Sequence, residues 1–227
     1  MKKIVNSCLC LVMLFSFFSC SDQVGENLLY GYDRGKKTFK LETTLTVQRY
    51  TDATVGYRYE STNYWGVGNK SSRKTVRTAW LNKDYSVRRS EKTETINGNL
   101  VHTHIERQDD TLTIKRIMDR KVISEKKVKV KEPVFVELLT QMYVRDIQEK
   151  GESKRYPVLN DKHAMISPLE VRFLGPQTVD INGESMELNH YQIQALAAPK
   201  EYDNYYVDPD SMKILKITFG DIVFKPE

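Results

Sequence analysis

Alternation of apolar and polar residues along most of the chain is the feature that most constrains its fold. Phe39, Leu41, Leu45 and Val47 alternate with polar residues, and this period of two is typical of a strand with one buried face. A similar alternation returns over residues 76 to 80 and again near the end of the chain. Because only short polar segments separate these runs, we expect an antiparallel meander.

Two Asn-Gly pairs predict the tightest turns. Asn97-Gly98 and Asn182-Gly183 each lie between two strand-like segments. Asn and Gly accept the positive φ angles that a type I′ turn requires, so each pair predicts a β-hairpin.

One segment, residues 133 to 150, departs from the period of two. Pro133 suits the first turn of a helix and Gly151 suits its end. Five apolar residues recur at helical spacing, and they are Phe135, Leu138, Leu139, Met142 and Ile147. We therefore expect an α+β fold, in which a single domain has a curved antiparallel β-sheet, an open half-barrel, wrapped around one α-helix.

The first twenty residues predict export and lipid attachment. Met1-Lys2-Lys3 is a basic start, and the apolar segment over residues 4 to 18 is typical of a secretory signal. Phe17-Phe18-Ser19-Cys20 then resembles the relaxed lipobox of bacterial lipoproteins. The resemblance implies that Cys20 is the first mature residue and carries acyl chains that hold the protein on a membrane. The alternative is an ordinary signal with an incidental cysteine.

This interpretation divides the chain into three parts. A lipoprotein signal peptide covers residues 1–19, a lipid anchor and flexible tether covers 20–37, and one β-rich domain covers 38–227. All three cysteines, Cys8, Cys10 and Cys20, precede the domain, so its core must hold it without a disulfide. We expect a lipid-anchored protein of the outer membrane, on the periplasmic face. The alternative is a position on the cell surface. Some lipoproteins of the Bacteroidota are sent there by an acidic run just after the cysteine, but here only Asp22 and Glu26 are acidic.

Charge argues against a nucleic-acid partner. The formal net charge is +5, and 35 basic residues are interspersed with 30 acidic ones. Such a mixture gives a well-solvated surface and no continuous basic path for a phosphate backbone.

The last third of the sequence resembles a known family. The stretches RYPVLND and YYVDPDSMKILKI, Gly175, the hairpin over residues 178–183 and Tyr191 are similar to an uncharacterised exported family, a domain of unknown function allied to the LolA/LolB lipoprotein-carrier fold. In carriers of that fold, the sheet and a helix enclose an apolar cavity for acyl chains. The resemblance implies that such a cavity exists here, with the apolar residues of the predicted helix lining or filling it.

Several residues are candidates for ligand binding or metal binding. The ligand candidates are Trp65, in a Gly-rich loop, and Trp80, for which a core position is the alternative, together with Phe135, Leu138, Leu139 and Met142. His102, His104 and Glu106 share one face of a strand and form a weak candidate metal site, the alternative being a solvent-facing surface. The sequence has no Gly-x-Ser-x-Gly turn and no phosphate-binding glycine loop.

These observations favour a non-enzymatic module without a cofactor that binds or carries an apolar ligand, such as a lipid or an acyl chain. The alternative is a structural or interaction subunit of an envelope protein assembly, with a filled core. The expected partners are the membrane, through acylated Cys20, a lipid or lipoprotein ligand, and an envelope protein.

Overall fold

The structure, a computed structural model, describes residues 23–66, 73–96, 98–197 and 201–227, with the side chain of Ile96 left out. They form one antiparallel sheet of 14 strands and one short helix. The elements are β1 (Gln23–Asp33), β2 (Lys36–Arg49), β3 (Val55–Trp65), β4 (Arg73–Leu81), β5 (Val87–Ile96), β6 (Asn99–Gln108), β7 (Thr111–Met118), β8 (Lys121–Lys129), α1 (Thr140–Asp146), β9 (Ser153–Asn160), β10 (Met165–Ile181), β11 (Glu184–Ala195), β12 (Tyr202–Val207), β13 (Ile214–Phe219) and β14 (Ile222–Lys225).

Two antiparallel meanders make up the sheet. Strands β1 to β8 form one and β9 to β14 form the other, and pairing of β1 with β14 joins them. Strands β8 and β9 are the two edges of the sheet, and within the described ranges they do not pair with each other. The predicted meander is therefore confirmed.

The expected α+β class is wrong, because the protein is nearly all β. The helix predicted over residues 133–150 is reduced to the seven residues of α1. The backbone before it is extended: the Phe135 N–H donates to the Pro157 carbonyl at 3.0 Å, and the Leu159 N–H donates to the Phe135 carbonyl at 2.7 Å. Its neighbour Val134 accepts a hydrogen bond from the Val87 N–H of β5 at 2.8 Å. Because these backbone groups are satisfied by other strands, the segment over residues 130–139 does not continue as a helix.

The apolar side chains of this region still form the centre of the core. Phe135, Leu139, Met142 and Ile147 are buried in one cluster with residues from both meanders. The Tyr143 ring lies 5.0 Å from the ring of Tyr191 on β11. The same cluster contains Tyr59 on β3, which is six positions away from β11 in the sheet. The sheet must therefore curve around residues 130–147, which fill its concave side.

The hairpin of β10 and β11 reaches beyond this core. Gly175, with φ of 99°, shifts the register between Phe173 and the residues that follow. A smaller apolar cluster forms beyond the shift, and its buried members are Val179, Ile181 and Leu188. Asn182 and Gly183 have φ angles of 56° and 89° at the turn, which confirms the hairpin predicted there. Asn97, in the other predicted turn, lies outside the described residues.

The first described strand begins earlier in the sequence than the predicted domain. The predicted tether over residues 20–37 overlaps β1, which pairs with both β2 and β14. Leu29 on this strand is only 1% exposed, so β1 contributes to the core. Within the described ranges, no helix has the length and apolar character needed to cross a membrane.

Candidate ligand-binding site on the concave face

A row of polar residues crosses the inner face of strands β3 to β7. The register places Ser61, Arg77, Lys92, Thr103 and Arg116 directly opposite one another on consecutive strands. We refer to these five residues as the polar row. Lys92 is 8% exposed and Thr103 is 1% exposed, so the row lies inside the protein.

Alternation along the strands explains why these polar side chains point inward. An apolar row runs beside them on the same face, and it includes Tyr59, Ala79, Ile105 and Ile114. Residues two positions apart on a strand share a face. Arg77 therefore points inward with Ala79. A charge in such a position is tolerated only if it is paired.

Two carboxylates pair with the cations of the row. Asp161, which follows β9, contacts Arg77 Nη2 at 2.8 Å and Lys92 Nζ at 2.9 Å. Glu94 contacts Lys92 at 3.2 Å and Arg73 at 3.1 Å. Because Asp161 lies far along the chain from β4 and β5, its ion pairs tie the end of β9 to the opposite wall of the curved sheet.

The pKa values of two carboxyl groups beside the row, Asp161 and Glu137, are shifted in opposite directions. Burial raises the pKa of Asp161, but the charges of Arg77 and Lys92 outweigh this effect and leave the pKa below its ordinary value. Burial also raises the pKa of Glu137, and there the Arg77 charge and a hydrogen bond with Tyr59 offset it only in part. Glu137 therefore retains its proton more readily than Asp161 does.

Beside the row lies a cavity of about 450 Å³. One wall is polar and is formed mainly by Ser61, Asn63, Arg73, Arg77, Lys92 and Glu94. The facing wall is largely apolar and includes Val136, Leu138, Val158, Leu169 and Ile193. Asp203 also lines the cavity, and burial, followed by the nearby Glu201 charge, raises its pKa. The cavity therefore presents two chemically different surfaces to a ligand.

The predicted ligand residues divide into three groups. Trp65 lines the cavity, is 43% exposed and packs edge-to-face on Phe39 at 4.8 Å, and Leu138 also lines the cavity. Leu139 borders a separate crevice of about 80 Å³.

Phe135 and Met142 are buried in the core and line neither space. Trp80 lies on the outer face, because its neighbours Ala79 and Leu81 are buried on the inner one, and the guanidinium of Arg89 lies 5.0 Å from its ring.

The candidate metal residues share a face as the pattern predicts, but the two histidines contact side chains of the neighbouring strand β5. His102 is 3.1 Å from Thr93 Oγ1, and His104 is 3.8 Å from a carboxylate oxygen of Glu91. In the part of the chain that the structure describes, no group of three His, Cys, Asp or Glu side chains is placed to hold a metal ion. Cys20, the predicted lipid attachment point, lies outside the described residues.

Sequence reasoning missed the polar row, although a signal for it was present. In the segment VRTAWL, residues 76–81, Arg77 has the same strand parity as Ala79 and Leu81. Choosing this parity, instead of that of Val76 and Trp80, would have placed Arg77 on the buried face and identified it as a candidate.

Comparisons with known proteins give little further guidance. No protein family matches the sequence, and no curated protein matches it. Among solved structures, one similar chain is a beta-barrel-like protein of the domain of unknown function DUF1849 from Brucella abortus. It has a TM-score of 0.48 and 9% sequence identity, and the match covers 91% of this chain and 96% of that one. The residues of the cavity must therefore carry any functional conclusion.

Proposed function

We propose that the protein is a non-catalytic binding module of the cell envelope, anchored through acylated Cys20, and that its cavity binds an amphiphilic ligand. The observation that carries this proposal is the two-sided lining of the cavity, with charged residues on one wall and aliphatic residues on the other. A ligand with a polar head and a short apolar part matches both walls. The anchor and the envelope location are proposed from the sequence motif alone.

The size of the cavity supports a small ligand or part of a lipid. Small-molecule sites usually enclose roughly 300–1,000 Å³, and this cavity of about 450 Å³ lies within that range. Trp65 lines it and is itself exposed, so a ligand has access from solvent beside this ring. An indole at such a position offers both an apolar surface and a hydrogen-bond donor.

The packing of the core limits how much of an acyl chain the concave side could hold. Phe135, Met142 and Ile147 are packed into the core, so the concave side is not an open apolar cavity along its whole length. The apolar part of the ligand is instead expected against Val158, Leu169 and Ile193. A carrier function akin to that of the LolA/LolB fold stays a proposal based on the sequence resemblance.

A second candidate function is that of an interaction subunit, and the edge strand β8 favours it. Val122 and Ile123 on this strand are 53% and 46% exposed. The same strand carries Lys121, Lys126, Lys127 and Lys129, and charged side chains on an edge usually discourage pairing with another strand. An interaction through this edge would require a partner that supplies compensating acidic residues.

Tryptophan fluorescence tests the proposed ligand directly. The chain contains two tryptophans, and Trp80 lies on the outer face. In the Trp80→Phe variant of the full chain, Trp65 is the sole reporter, and we expect its emission to shift and saturate when a lysophospholipid is added below its critical micelle concentration. The Trp65→Phe variant leaves only Trp80 and should give no saturable change.

Leu169→Glu provides the matched perturbation of the apolar wall. We expect it to abolish the saturable Trp65 signal that the lysophospholipid gives. A Trp65 emission that stays constant over the whole titration, with no heat of binding by calorimetry, would contradict the proposed function.

A further inference from the structure

The polar row holds a set of buried donors without partners. Three of its atoms have no hydrogen-bond partner within the described part of the chain: Arg77 Nη1, Thr103 Oγ1 and Arg116 Nε. More than nine-tenths of buried polar groups in proteins are hydrogen-bonded, so each exception calls for an explanation. Here three exceptions fall on one row, and Thr103 and Arg116 are direct cross-strand neighbours.

The chemistry of these atoms indicates what they would bind. Both arginine nitrogens can only donate, and the threonine hydroxyl can also donate. Lys92 lies between Arg77 and Thr103 in the row, and its ammonium has three N–H groups. Its described ion pairs are with Asp161 and Glu94, which leaves one N–H for a further acceptor. The complement of this row is therefore a group that accepts several hydrogen bonds and carries negative charge.

We infer that Arg77, Lys92, Thr103 and Arg116 form a binding site for an oxyanion, meaning a phosphate, sulfate or carboxylate group. Arginine and lysine are the side chains that proteins use most for such groups. Arg77 and Lys92 line the cavity, and Thr103 and Arg116 continue the row from Lys92 on the next two strands. The inference rests on the proposed function in one respect only, which is that the oxyanion is the head group of the amphiphilic ligand. A free inorganic anion would use the same donors.

Acidic neighbours do not prevent anion binding at this row. Glu94 and Asp161 are already paired with cations, at 3.1 Å from Arg73 and 2.8 Å from Arg77 respectively. Glu137 faces the row from residues 130–139 and Asp203 faces the cavity from β12. Burial raises the pKa of both, so each takes up a proton more readily than an exposed carboxyl does.

Isothermal titration calorimetry on the full chain, with Thr103→Val as the test variant, isolates the site. Valine has nearly the shape of threonine but no hydroxyl, and the Thr103 hydroxyl has no described partner, so the variant should fold at least as stably as the wild type. We expect wild-type protein to bind inorganic phosphate and sulfate, and Thr103→Val to bind each about tenfold more weakly, the effect of one hydrogen bond to a charged group.

Thr113→Val is the matched control. Thr113 lies on β7 opposite Glu106 and Lys127, on the outer face of the sheet, so its loss should leave anion affinity unchanged. Should Thr103→Val fail to fold, Arg116→Gln replaces it. The one described ion-pair contact of Arg116 is 4.0 Å from Glu94, so this change removes little from the unliganded protein.

Lysophosphatidic acid and the neutral monoacylglycerol, both below their critical micelle concentrations, separate the two sources of the anion. Tighter binding of lysophosphatidic acid than of monoacylglycerol, lost in Thr103→Val, identifies a lipid head group. Binding of phosphate or sulfate alone, with the same loss, supports the oxyanion site and refutes the amphiphilic ligand. Equal binding of both lipids by wild type and variant overturns the oxyanion site and leaves the proposed function standing. Absence of binding by all four probes overturns both.

Discussion

Removing the charge of Asp161 is expected to destabilise the protein strongly, because this carboxylate joins two distant parts of the sheet. The Asp161→Asn variant keeps the shape of the side chain but leaves Arg77 and Lys92 without their shared anion. Asp161 and Lys92 side chains are each 9% exposed and that of Arg77 is 12% exposed, so little solvent can replace the lost charge.

The expected loss in the free energy of unfolding depends on which ion-pair partners Arg77 and Lys92 keep in the variant. Breaking a buried ion pair by removing one partner costs about 3–5 kcal/mol. Lys92 keeps Glu94 at 3.2 Å, so the loss falls mainly on Arg77, and we expect about 3 kcal/mol, the lower end of that range. For a chain of this length, such a loss lowers the melting temperature by roughly 6–12 °C.

Urea unfolding followed by circular dichroism measures this change in the free energy of unfolding. Glu125→Gln is the matched control, because it removes one carboxylate from a pair with Lys115 in which both side chains are about 40% exposed, and exposed pairs contribute at most about 1 kcal/mol. A loss in Asp161→Asn no larger than that in the control would refute the structural role given to the buried ion pairs.

The pH dependence gives the same prediction a second readout. The pKa of Asp161 is depressed in the folded state, so its contribution is present above the unfolded pKa of about 3.9 and disappears as pH falls through the folded pKa. The difference in stability between wild type and Asp161→Asn should therefore be constant near neutral pH. It should decrease towards zero below about pH 4.

Three further predictions follow from the described packing and charge. Glu137→Gln should raise stability at pH 7, because the raised pKa of Glu137 means that ionisation in the folded state is unfavourable; the gain, measured by urea unfolding, should vanish below about pH 4. Met142→Ala should cost about 2–5 kcal/mol by the same measurement, because Met142 is 1% exposed at the centre of the core. Gly56→Ala should lower the melting temperature, since the added methyl group would overlap the Leu81 carbonyl oxygen, and a change under about 1 °C would contradict the close strand approach there.

The strands were predictable because their signal is local. Leu41 and Leu45 alternate with polar residues, and both lie on the same face of β2, where they line one crevice. Asn182-Gly183 likewise specifies its own turn through positive φ angles. These features depend on neighbouring residues only, so the sequence carries them directly.

The class of the fold was not predictable in the same way, because a distant strand decides it. The spacing of Phe135, Leu139 and Met142 fits a helix, yet Phe135 pairs its backbone with β9. That contact joins residues more than twenty positions apart, so no local sequence pattern predicts it. Tertiary pairing therefore overrode the helical periodicity over the first half of the predicted segment.

The polar row was missed for a different physical reason. The prediction assigned the wrong one of the two alternating sets of side chains on β4 to the buried face. A shift of one residue moves every side chain of a strand to the opposite face. Assigning Val76 and Trp80 to the inner face places Arg77 outside, whereas the structure buries Ala79 and Leu81 and brings Arg77 inward. Asp161 gave no signal at all, because its partners lie on strands far away in the sequence.

Native mass spectrometry of the full chain purified from several independent preparations tests the central claim most directly. If the cavity binds an amphiphile, the wild type should carry a reproducible added mass that extracts into organic solvent, and Leu169→Glu should carry none. Bare wild-type protein in every preparation, with no mass gained when lysophosphatidic acid is supplied, would contradict the claim that this cavity is a ligand-binding site.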